Sequence, residues 1–138
     1  MSQEVSSWWL DANVLLRFLT GDPPELAERA AGLLERAQRG EVLLRVHAVV
    51  VAETVWVLES FYEYSKEDTS GALIPLLEQP ALRVEGARTV VRALEAMSQN
   101  NVDFADALLA ETARSRGEGV ASFDRDFRKL GIEWQEPD

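Results

Sequence analysis

Leu10-Asp11-Ala12-Asn13-Val14-Leu15-Leu16-Arg17-Phe18-Leu19-Thr20-Gly21-Asp22 follows the apolar pair Trp8-Trp9 and decides how the chain is read. An apolar run, Trp8 to Leu10, stops at an acid, and helical periodicity begins behind it. In an α/β protein that junction presents a carboxylate at the carboxyl end of a strand, where ligands bind. Glu53, Asp106 and Asp124 stand at or just beyond similar junctions. Four carboxylates from distant segments, with no cysteine and one histidine, point to a hard divalent cation rather than zinc.

Outward from Asp11, strand and helix alternate. Asp22-Pro23-Pro24-Glu25 carries the marks of a helix start, with Asp22 as cap, and predicts a helix to about Arg39 closed by Gly40. Val42 to Val46 reads as a strand and Ala48 to Tyr62 as a largely apolar helix. Ser65 caps a helix to about Glu78 that Pro75 should kink or interrupt. Leu82 to Val84 is a strand, and Ala87 to Ser98 a helix with Val90, Val91, Leu94 and Met97 on one stripe. Asp103 to Arg116 is helical, Gly119 to Ser122 a strand, Asp126 to Leu130 a helical turn and Ile132 to Trp134 a last strand. Strands separated by helices pair in parallel. The expectation is a single domain over 1–138: an α/β fold, a three-layer α/β/α sandwich with a central, mainly parallel sheet.

Composition narrows the chemistry. The 138 residues are 46% hydrophobic and 28% charged, ordinary for a globular domain. Without cysteine there are no disulfides, thiolate metal sites or cysteine nucleophiles, a pattern compatible with the cytoplasm. Met1 to Ser7 lacks the features of a signal peptide, and no apolar run is long enough to span a membrane. Neither Gly-x-Gly-x-x-Gly nor a P-loop is present. The lone His47 reads as a turn residue, and a Ser-His-Asp triad has no support. An acidic phosphoacceptor pocket wants a lysine at a late strand end, whereas Lys66 and Lys129 fall on helices. The formal net charge of −10 opposes electrostatic capture of nucleic acid and suits a basic protein partner. Arg17, Arg45, Arg125 and Arg128 are left as a small basic rim.

Asp11 and Asp124 also suit helix caps. Asp103, three residues before Asp106, reads as a cap and supporting residue, and Asp126 as a solvated first-turn acid. Glu53 is surrounded by Val49, Val50, Val51, Ala52, Val55 and Val57, so it is expected to be buried against a cation. Trp56 and one of Trp8 and Trp9 are expected in the core, although tryptophans also stack on bases. Carboxylates sharing a crevice repel one another, and a divalent ion relieves that repulsion. Metal-assisted hydrolysis of a phosphodiester is the chemistry such a site supports.

Four segments, in order, resemble the motifs of PIN domains, in particular the VapC-like toxins of toxin–antitoxin modules. They are the Leu10–Asp22 stretch, Val51-Ala52-Glu53-Thr54-Val55-Trp56-Val57-Leu58, Asp103-Phe104-Ala105-Asp106-Ala107-Leu108-Leu109-Ala110, and Ala121-Ser122-Phe123-Asp124-Arg125-Asp126-Phe127. The resemblance spans about Trp9 to Leu130 and implies a ribonuclease dependent on Mg2+ or Mn2+. It implies that Asp11, Glu53, Asp106 and Asp124 form the acidic quartet, that Asn13 orients Asp11, and that Ser122 is the small hydroxyl residue before the last acid. Ala12 departs from the pattern, standing where a hydroxyl residue is common. The resemblance also implies a homodimer and a cognate antitoxin that blocks the crevice, often with an arginine. The competing reading is a catalytically silent protein of the same fold that dimerises or binds a basic partner.

Overall fold

The computed structural model describes residues 5–138. β1 (Ser6–Trp9), β2 (Val42–Val46) and β3 (Leu82–Val84) form a parallel sheet in the order β1-β2-β3. Parallel neighbours need crossovers, supplied by α1 (Ala12–Thr20) with α2 (Pro24–Gln38) and by α3 (Ala48–Ser60) with α4 (Lys66–Leu77). After β3 come α5 (Ala87–Asn100) and α6 (Phe104–Ser115), which pack on each other. The chain ends with β4 (Val120–Ala121), a 3-10 helix (Arg125–Leu130) and β5 (Trp134–Gln135). All five strands pair in parallel, but β4 and β5 form a ribbon of their own rather than extending the three-stranded sheet. The sheet expected as one layer is therefore divided.

Register sorts the larger sheet into two faces. Trp8, Leu44 and Leu82 lie in one row, and Trp9, Arg45 and Arg83 in the next. Along β2 the alternation is strict: Val42, Leu44 and Val46 are buried, Leu43 and Arg45 only partly. The core gathers Leu15, Leu44, Val46, Val51, Leu58, Leu73, Leu94, Met97 and Phe127. β1 stays outside it, with Trp8 58% and Trp9 57% exposed. Its outer edge has no strand partner among the described residues, and both rings stay more than half exposed.

Local signals mostly hold. Ser65 Oγ accepts from the Asp68 N–H at 2.9 Å, as the cap signature requires. Val90, Leu94 and Met97 are buried on α5, and Val91 is half-buried. Two expectations fail. Asp22 does not cap α2; Pro23 occupies that position, and the Asp22 carboxylate instead accepts from the Tyr62 hydroxyl at 3.4 Å. Pro75 does not interrupt α4, which continues through it to Leu77. The carbonyl that Pro75 leaves unpaired belongs to Gly71, which is exposed, so water satisfies it.

Gly119 shows how tightly the ribbon is built. A Cβ there would lie 2.7 Å from the Glu133 carbonyl oxygen, so only glycine lets the two segments approach.

Candidate active site

Asp11 ends the first strand in extended geometry, φ −85° and ψ 159°, and caps α1. Its Oδ1 accepts from the Ala12 N–H at 2.7 Å, and the side chain is exposed. The Leu10 N–H donates to the Arg45 carbonyl at 2.8 Å, fixing Asp11 against the end of β2. Asn13 is exposed and makes no hydrogen bond to Asp11 among the described residues. Ala12 is buried, so a hydroxyl at this position would need a partner inside the protein.

Glu53 departs from expectation. It is exposed, between Val49 and Trp56 on the outer face of α3. The apolar neighbours that suggested burial are divided: Val51 and Val55 enter the core, while Val49 is exposed. Trp56, also expected in the core, is 68% exposed. Thr54, one residue past Glu53, takes the buried position and donates its hydroxyl proton to the Val50 carbonyl at 2.7 Å. His47 caps α3, its Nδ1 accepting from the Val49 N–H at 3.0 Å, and is not placed as a ligand.

The C-terminal acids form the built part of the site. Asp106 lies in the first turn of α6 and is half-buried. Burial pushes its carboxyl above the ordinary aspartate range, and the negative charges of Asp124, Asp103 and Asp126 push it further. Asp124 is held from both sides. Its N–H donates to Ser122 Oγ at 3.0 Å, and its Oδ1 accepts from the Asp126 N–H at 2.9 Å. Trp134 Nε1 donates to the Ser122 carbonyl at 2.9 Å, tying this turn to β5. Asp126 pairs with Lys129 at 3.6 Å, consistent with a first-turn surface acid.

Asp103 occupies the cap position of α6 but makes no capping hydrogen bond with its side chain. Its Oδ1 instead lies 3.6 Å from Lys66 Nζ, which also meets Glu59 at 3.5 Å. The lysine set aside as a helix residue is therefore a resident cation beside the acids. Sequence spacing gave no hint, because α3, α4 and α6 have to pack first. Arg114 is a second residue the sequence did not reveal. Its guanidinium donates to the Leu130 and Gly131 carbonyls and meets Glu111 at 3.4 Å. It thereby joins α6, which carries Asp106, to the far end of the 3-10 helix that follows Asp124.

Thus Asp106, Asp124, Asp103 and Asp126 share one electrostatic neighbourhood. Among the described residues no three acids or histidines stand together in ligating geometry. The donor set still fits magnesium chemistry. Mg2+ keeps several waters and binds through one or two carboxylates, and a cation there would relieve the repulsion that raises Asp106. No helix among the described residues is long and apolar enough to cross a membrane.

Comparison with known proteins agrees with this geometry. The PIN domain family profile matches residues 9–133. A VapC ribonuclease from Aquifex aeolicus (strain VF5) is 32% identical over 129 residues, covering 93% of this chain and 95% of that protein. The matched region contains all four acids and runs from the last residue of β1 to the residue before β5, and the α/β/α layering is that of the family. The chain belongs to the PIN-domain family and is VapC-like.

Proposed function

We propose that the protein is a divalent-metal-dependent endoribonuclease that hydrolyses RNA phosphodiester bonds as the toxin of a toxin–antitoxin pair. The observation that carries this reading is the Asp106 carboxyl, raised by burial and by Asp124, Asp103 and Asp126 around it. An acidic cluster that Lys66 and Lys129 neutralise only in part, opening the third matched motif, is a site suited to a cation. Asp11, Glu53, Asp106 and Asp124 are the proposed catalytic and metal-holding residues, with Asn13, Ser122 and Asp103 in support. When bound, Mg2+ or Mn2+ supplies a Lewis acid for the phosphate and lowers the pKa of its water.

The chain's own groups do the rest. Ser122 Oγ anchors the Asp124 backbone N–H, and the Asp126 N–H holds Oδ1 of its carboxylate, so the other carboxylate oxygen is unengaged among the described residues. Lys66 draws Asp103 toward α3 and α4 and shares out the negative charge beside Asp106. Asp11, exposed at the end of β1, is reachable by a ligand at the carboxyl edge of the larger sheet. The functional unit is one domain acting in the cytoplasm as a homodimer, with an antitoxin that inserts a basic side chain among the acids.

Cleavage of total RNA with and without Mn2+ tests the reading. Wild type should cleave only with the cation, and Asp106→Asn and Asp124→Asn should lose at least a hundredfold, the scale of one lost electrostatic contact in a transition state. Full activity in both variants rules the site out. The lack of three acids or histidines in ligating geometry among the described residues favours a second reading, a silent member of the family that binds a basic partner. Calorimetry decides between them: no heat with Mn2+ at millimolar concentration supports the silent protein.

A further inference from the structure

We propose that Trp9, Arg45, Arg83, Arg88 and Arg92 form a track that holds single-stranded RNA as it leaves the Asp11 edge of the site. This rests on the ribonuclease reading and adds to it the path of the substrate. The backbone register sets the first part. Trp9 pairs with Arg45 across β1 and β2, and Arg45 with Arg83 across β2 and β3. Paired residues in parallel strands share one face, so Trp9, Arg45 and Arg83 stand in one row on strands spaced about 5 Å apart. The row begins two residues before Asp11, and Trp9 is 57% exposed.

Beyond Arg83 the row opens into a groove of about 680 Å³ between the end of α4, β3 and α5. Arg83, Arg88 and Arg92 line it, and Arg88 and Arg92 are four residues apart on α5, hence on one face. All three are exposed, and none forms an ion pair with a carboxylate among the described residues. In a chain of net charge −10, that is a local reversal of sign. Glu78 and Glu95 also line the groove, so its own excess is small and Arg45 adds to it.

The arrangement suits RNA better than an acidic peptide. A peptide needs only the cations, whereas a ring at the end of a row of guanidiniums serves a strand with both stacking faces and phosphates.

Binding of a labelled single-stranded oligonucleotide of about a dozen nucleotides, measured by anisotropy in EDTA across a salt titration, tests the track. Working without metal keeps the RNA intact and makes the result independent of cleavage. The Arg83→Ala/Arg88→Ala/Arg92→Ala triple variant should weaken binding at least tenfold at low salt and flatten the log–log salt slope by about 2, or 0.7 per lost phosphate contact. Trp9→Ala should weaken binding about tenfold with little change in slope. Circular dichroism checks that the variants fold. An unchanged slope and affinity in the triple variant overturns the track, as does wild type that binds no RNA. Loss of a polyglutamate peptide by the triple variant, with RNA binding unchanged, assigns the groove to an acidic protein segment and also overturns it. Wild type that binds RNA through the track but cleaves none with Mn2+ strikes the nuclease reading alone.

Discussion

Asp106→Asn should change thermal stability in opposite directions with and without a divalent cation. Without one, the wild-type carboxylate is a liability. Burial and three neighbouring acids raise its pKa, which means the folded state disfavours its charged form. Asparagine keeps the size and removes the charge. At a half-exposed position such charge interactions are worth no more than about 1 kcal/mol. For 138 residues the unfolding entropy is about 0.3 kcal/mol/K, so the variant should melt higher than wild type in EDTA by at most about 3 °C. With Mn2+ at tenfold its Kd, wild type should gain about 1.4 kcal/mol, or about 5 °C. The variant should gain little of this, and the order of the two melting curves should reverse. Differential scanning fluorimetry over an Mn2+ titration at pH 7 reads both signs. If Asp106→Asn melts below wild type in EDTA and keeps the full Mn2+ shift, Asp106 is an ordinary structural acid and the site reasoning fails.

The same carboxyl sets a pH dependence. A raised folded-state pKa means the native state holds its proton longer, so metal-free stability should fall as pH rises from about 4 through the folded value, then level off. Urea midpoints should show this in wild type and not in Asp106→Asn. Arg114→Ala should leave the Leu130 and Gly131 carbonyls unpaired, lower stability by about 1–2 kcal/mol, and weaken Mn2+ binding seen by calorimetry, although Arg114 touches neither acid. Gly119→Ala should force β4 from the Glu133 carbonyl and lower stability by about 1–3 kcal/mol in chemical denaturation. Leu58→Ala, in a fully buried position, should lose about 2–5 kcal/mol by the same measurement.

Local features were legible because local physics determines them. The Val42–Val46 strand, the Ser65 cap and the α5 stripe are each set by residues within a few positions. The Asp124 turn was legible too, since Ser122, Asp124 and Asp126 bond within four residues. What failed depends on packing between distant segments. Trp8 and Trp9 read as half core, but burial there needs a neighbour on the outer edge of β1, and β4 pairs with β5 instead. Glu53 looked buried because its neighbours are valines. Only the rotation of α3 decides which valines face inward, and the helix is so uniformly apolar that its sequence does not fix that rotation. The partnership of Lys66 with Asp103 links α4 to α6, a contact no spacing encodes.

The divided sheet bears on ligand affinity. Asp11 rides on the three-stranded sheet, while Asp124 follows a strand of the two-stranded ribbon. If the ribbon shifts against the sheet within the core that Val120 and Leu44 share, a ligand engaging both selects molecules in which the two stand at one separation. Its apparent Kd is then the intrinsic value divided by the fraction of molecules so arranged, and each tenfold rarity costs about 1.4 kcal/mol. The packing of α6 against α3 and the 3-10 helix governs that fraction. Side chains remote from every carboxylate thus set binding strength through a population, alongside the acids that set it through contact.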